Sequence, residues 1–116
     1  MNSTALAWVR GYEFAIIDLE HSGFGYDNLK RMLRYYQAAG VPAIVSTAVG
    51  DYDVIARACD MDADAIQPAK VSSAEEAREM LSHMRYPPQG HRSVALGIAH
   101  DRYRPGDTAA KLRRAN

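Results

Sequence analysis

The chain has a single cysteine, Cys59, one tryptophan and two phenylalanines among its 116 residues. One thiol excludes an internal disulfide framework and any zinc site built from several cysteines, and it suits a reducing compartment. No apolar run approaches the ~20 residues that a bilayer-crossing helix needs. Neither sign of charge dominates: 14 Lys+Arg against 14 Asp+Glu give a formal net charge of +0. Composition therefore gives no support for long-range attraction to nucleic acid or to an anionic membrane, and small ligands remain as partners. Residues 1–4 carry no basic or apolar leader pattern, which predicts a cytoplasmic protein. What is present is a 47% hydrophobic, 24% charged chain, the composition of an ordinary globular domain able to bury a core.

Strand and helix signals alternate along it. A short helix is expected over 3–10, where Trp8 reads as a core or interface residue, and Gly11 is its stop signal. Phe14-Ala15-Ile16-Ile17 is a continuous apolar run ending in Asp18, the pattern of a parallel strand buried on both faces. Leu29, Met32, Leu33 and Tyr36 repeat at helical spacing over 27–39, between a capping Asp27 and a terminating Gly40. Strands at 43–47 and 64–67, the second stopped by Pro68, flank a helix that begins near Asp51 and ends around Asp60. Ser72-Ser73-Ala74-Glu75-Glu76 offers a capping box in either of two registers for a helix through Met84. Residues 85–106 read as loop and 108–114 as a last helix. Such repetition implies right-handed βαβ units on a parallel sheet, with ligand chemistry at the C-terminal strand ends.

Three strand ends therefore stand out: Asp18-Leu19-Glu20-His21, Ser46-Thr47, and Gln67 to Lys70. Two carboxylates and an imidazole within four residues suit proton transfer near neutral pH, although Glu20 and His21 are equally readable as solvated loop residues and Asp18 as a turn cap. Asp60 ends its helix where the macrodipole disfavours a negative charge, which points either to a function or to plain solvation beside Asp62 and Asp64. Lys70 is an anion clamp, a Schiff-base amine or an exposed loop lysine. His83 reads as a packed, hydrogen-bonded histidine, and His83, His91 and His100 have no metal-ligand spacing among themselves.

Gly11-Tyr12-Glu13-Phe14-Ala15-Ile16-Ile17-Asp18-Leu19-Glu20-His21 resembles a segment of the HpcH/HpaI aldolase/citrate lyase family. Matching segments follow in order: Ala38 to Pro42, Ile55 to Asp60, Ser73 to Arg78, and Arg85-Tyr86-Pro87-Pro88-Gln89-Gly90-His91-Arg92. The resemblance covers essentially the whole chain. It implies the N-terminal half of a (β/α)8 TIM barrel, about three parallel strands with helices, in a fold that needs about 250 residues. It also implies a metal-dependent aldolase, a carbon-carbon lyase that makes or cleaves 4-hydroxy-2-oxo acids through a pyruvate enolate. His21 and Asp60 match the family's acid/base dyad, which works through an active-site water, and an aspartate facing His21 would favour its charged form. Asp18, Glu20, Ser46, Gln67, Lys70 and Arg92 are expected around the substrate or behind the dyad.

Three positions depart from the family pattern. Ser46 stands where the family has an enolate-stabilising arginine, and a hydroxyl does not replace a bidentate cation. The Ile66-Gln67-Pro68-Ala69-Lys70 segment is one residue short, which brings Lys70 toward the site, and Ser93 replaces a glycine after Arg92. The family's metal carboxylates match positions beyond Asn116, so Mg²⁺, Mn²⁺ or Co²⁺ is expected for the complete fold with no ligand in this chain. Open sheet edges predict a homo-oligomer. The partners implied are a 2-oxo acid and an aldehyde, with no nucleic acid and no membrane. The other reading is a non-catalytic interaction or small-molecule-binding remnant of the family.

Overall fold

The structure, a computed structural model, describes residues 9–48 and 50–116. The helix expected over 3–10, with Trp8, lies almost wholly outside the described residues. Strands β1 (Ala15–Asp18), β2 (Ala43–Thr47) and β3 (Ala65–Pro68) alternate with helices α1 (Tyr26–Ala39), α2 (Tyr52–Asp60) and α3 (Ala74–Met84). A 3-10 turn, Ala99–Asp101, and helix α4 (Thr108–Ala115) follow. The sheet is parallel in the order β1-β2-β3, the arrangement that helical crossovers impose.

Side-chain alternation divides the sheet into two unlike faces. Ile17, Ala43 and Val45 point to the helices and close a core with Leu29, Leu33 and Ala58, all almost without exposure. On the other face the register aligns Ile16, Ile44 and Ala65 in one row and Asp18, Ser46 and Gln67 in the next. No described helix covers that face, and Ile16 is 52% exposed. The expectation that β1 is buried on both faces is thus corrected for this chain. Its apolar run supplies a covered face and an open one, as the inside of a barrel wall requires.

Local signals fix the ends of the elements. Gly40 stops α1 in a left-handed conformation, φ 73°, with its N–H on the Gln37 carbonyl and the Val41 N–H on that of Tyr36. Helix α1 starts before Asp27, with Gly25 at its N-cap. Asp51 caps α2 by accepting from the Val54 amide at 3.0 Å. The capping-box register resolves to Ser73, which accepts from the Glu76 amide at 3.1 Å while the Glu76 carboxylate accepts from the amide and hydroxyl of Ser72. Those bonds hold the Glu76 carboxyl below its ordinary pKa. Pro68 closes β3 as its last ladder residue, and the next amide, Ala69, donates to Thr47 O at 2.9 Å. No described helix is long and apolar enough to cross a membrane.

Asp101 anchors the C-terminal segment. It is buried and accepts from Lys111 Nζ at 2.7 Å, from the Gly97 amide at 2.8 Å and from the Tyr103 amide at 3.1 Å. Lys111, then the Gly97 N–H, pull its carboxyl down to about 2, against about 3.9 in an unfolded chain. A depressed carboxylate contributes stability that is fully present above the unfolded value and is lost as pH falls toward the folded one. Asp101→Asn is therefore expected to lower the urea midpoint at pH 7, with the gap to the unaltered protein closing between about pH 4 and pH 2. A gap that stays constant over that window would contradict this.

Candidate functional site

All three strands end at one edge of the sheet, and there the register sets Asp18, Ser46 and Gln67 side by side on the open face. The chain turns sharply after β1. Asp18 accepts from the Glu20 amide at 2.8 Å and the His21 amide at 3.2 Å, and its carbonyl accepts from the Ser22 hydroxyl. The Leu19 amide reaches across to Ser46 O at 2.9 Å. Asp18 thus shapes the loop that presents Glu20 and His21.

Glu20 is the centre of the charged group. Its Oε2 lies 3.5 Å from His21 Nε2 and its Oε1 lies 3.7 Å from Lys70 Nζ. The Glu20 side chain is 18% exposed, whereas His21 and Lys70 are 79% and 82% exposed. A mostly covered carboxylate is flanked by two accessible nitrogen bases from two different loops. A largely apolar cleft of about 200 Å³, lined by Leu19, Phe24, Gly25, Tyr26, Thr47 and Val54, opens on the helix side of the strand ends, and none of the charged residues lines it.

Asp60 and Arg92 lie elsewhere. Helix α2 returns from the C-terminal end of β2 to the N-terminal end of β3, so Asp60 is at the sheet edge opposite His21. Asp64, four residues on, marks that edge: its amide donates to Ala43 O at 3.0 Å and its carboxylate accepts from the Ala43 amide at 2.8 Å. Four strand residues separate the two edges by about 13 Å. Within one chain His21 and Asp60 are therefore not paired. Asp60 Oδ1 instead accepts from Arg92 Nε at 3.1 Å and Nη2 at 2.5 Å. Arg92 is 5% exposed and its guanidinium stacks 4.7 Å from the centre of the Tyr86 ring. This ion pair offsets the unfavourable helix-end position of Asp60.

Burial, and then the nearby Arg92 charge, push His100 below its ordinary pKa, and burial pushes Tyr86 up. The two side chains meet at 3.0 Å. The Cys59 thiol is also raised by burial, which leaves it a poor nucleophile. His83 is packed as expected, 7% exposed with Nδ1 3.2 Å from Gly50 O. Its ring is 5.0 Å from that of His91, and Tyr52 packs against both. Sequence spacing gives no sign of this aromatic cluster, because its members come from three separate segments.

No protein-family model matches the chain. Curated relatives do. It is 31% identical over 93 residues to 2-dehydro-3,6-dideoxy-6-sulfogluconate aldolase of Pseudomonas putida, covering 80% of this chain and 36% of that one. It is 31% identical over 94 residues to 2-keto-3-deoxy-L-rhamnonate aldolase of Klebsiella pneumoniae, covering 81% and 35%. The crystal structure of an HpcH/HpaI aldolase from Desulfitobacterium hafniense superposes with a TM-score of 0.87 at 26% identity, over 98% of this chain and 44% of that one. The chain belongs to the HpcH/HpaI aldolase family. It spans about a third of the length of the curated relatives it matches, and its three parallel strands with their helices are part of a TIM barrel. The strand-end row is then the C-terminal face of an HpcH/HpaI barrel, where this architecture places its chemistry.

Among the described residues no three His, Cys, Asp or Glu side chains gather as a metal centre. Asp18 Oδ1 is taken by two backbone amides and Glu20 by Lys70 and His21. Among the described residues these donors do not by themselves fit the divalent ion that the family resemblance implies.

Proposed function

We propose that the chain contributes the proton-transfer part of a carbon-carbon lyase site acting on a 2-oxo acid and an aldehyde. The observation that carries this is the row Asp18, Ser46 and Gln67 at one sheet edge, with Glu20 and His21 directly after it. The relatives' names support the reaction class.

In the cleavage direction a 4-hydroxy-2-oxo acid loses the proton of its C4 hydroxyl, the C3–C4 bond breaks, the aldehyde leaves, and C3 of the resulting enolate takes a proton. His21 is accessible and has an adjacent carboxylate to orient it, so it holds and moves that proton. Any divalent ion in the complete barrel would need ligands other than those assembled here.

Asp60 cannot orient His21 in its own chain. It reaches one only from a second copy, which makes a homo-oligomer part of this reading. Ser46 carries a second reading, a non-catalytic remnant that binds small molecules, because a hydroxyl in that row supplies no positive charge to an enolate oxygen. The test is pyruvate release from a 4-hydroxy-2-oxo acid, followed with the purified protein and its His21→Ala variant. His21-dependent release is expected, and release unaffected by the substitution would remove the proposal.

A further inference from the structure

Among the described residues Lys70 is the single Lys or Arg in the three segments that lead from strand to helix, residues 19–25, 48 with 50–51, and 69–73. Its backbone is left-handed, φ 60°, a conformation that a side chain disfavours and that needs a reason. The Ala69 amide, fixed on Thr47 O at 2.9 Å, sets the chain just before it. From there Lys70 passes the end of β2 to reach Glu20, which follows β1.

The contact is loose. At 3.7 Å it exceeds the 2.7–2.9 Å of a tight charged hydrogen bond, and 82% of the lysine side chain is exposed, so the pair is weak and exchangeable. Glu20 is the fixed partner, because its amide is bound to Asp18 and its carboxylate is largely covered. A carboxylate tied to the scaffold thus holds an accessible ammonium beside His21 and the polar strand-end row.

We propose that Lys70 is the anion-binding residue of this site and that Glu20 is its internal counter-ion, from which it is drawn by the carboxylate of the 2-oxo acid. This rests on the aldolase reading for the identity of the anion. It also assigns Glu20 a cost: it competes with the substrate for the same ammonium.

Oxalate, a planar 2-oxo acid mimic without a ketone, probes this directly. Lys70 is labelled by reductive methylation, followed by peptide mass spectrometry, with increasing oxalate in the presence of EDTA. Oxalate is expected to slow labelling of Lys70 by about tenfold. Glu20→Gln is expected to lower the half-protecting oxalate concentration several-fold, and Lys70→Met to raise KM for the 2-oxo acid more than it lowers kcat. No protection of Lys70, or no shift with Glu20→Gln, would overturn the proposal. Borohydride trapping of pyruvate on Lys70 would overturn it too, since the amine would then act covalently. Protection without His21-dependent pyruvate release keeps Lys70 as an anion site and removes the aldolase reading. Release with full activity in Lys70→Met and no protection does the reverse.

Discussion

Replacing Arg92 with alanine is expected to lower the unfolding free energy by about 3 kcal/mol, the low end of the range for breaking a buried ion pair. Arg92 is 5% exposed and gives two bonds to Asp60 Oδ1 and a longer one, 3.4 Å, to Met84 O. Its plane also covers the Tyr86 ring. Removing it leaves a carboxylate at a helix C-terminus with no cation, a cavity beside Tyr86 and an unpaired turn. Asp60 is 30% exposed and recovers some hydration, which is why the low end applies. Asp60→Asn keeps an acceptor for the guanidinium and should cost about half as much. Replacing both with apolar residues of similar size should restore most of the loss. Urea unfolding of the three variants measures this, and an Arg92→Ala midpoint equal to that of the unaltered protein would contradict it.

The opposite signature is expected for His21→Ala. Pyruvate release should fall by about 10²–10⁴-fold, the usual contribution of a positioned acid/base group. Stability should stay within about 0.5 kcal/mol, because the side chain is 79% exposed and bonded to nothing in the core. The two substitutions separate the two ends of the sheet. One end holds the fold through Asp60 and Arg92, and the other presents accessible groups on a shaped loop. Measuring release and unfolding on both proteins distinguishes a site from a scaffold, and a His21→Ala protein that loses stability but not release would invert the assignment.

Much of the architecture is legible in local pattern. Leu29, Met32, Leu33 and Tyr36 mark one face of α1, and Leu29 and Leu33 are indeed its buried contacts. The Ser73 cap and the Gly40 stop are written in residue type, and both form. Strand β1 is harder. Its apolar run names a strand but not which residues are covered, because Ile17 meets helices while Ile16 faces the open side. Pattern alone places Asp60 at the end of its helix but does not give its partner. A helix-end carboxylate is conspicuous in sequence, yet its partner is 32 positions away in a loop, and the antiparallel return of α2 sets it far from His21. The Glu20–Lys70 contact joins loops 50 positions apart that neither spacing nor composition connects. Long-range side-chain pairing follows from the register of the sheet, which the sequence does not display.

The most direct measurement is deuterium incorporation at C3 of pyruvate in D₂O, observed by NMR with the purified protein. It isolates the proton step from the aldehyde partner and from carbon-carbon cleavage. Exchange above the buffer rate, lost in His21→Ala and retained in a variant altered only on the outer face of α4, is the result this account predicts. Exchange no faster than in buffer, or equal in His21→Ala, would contradict it.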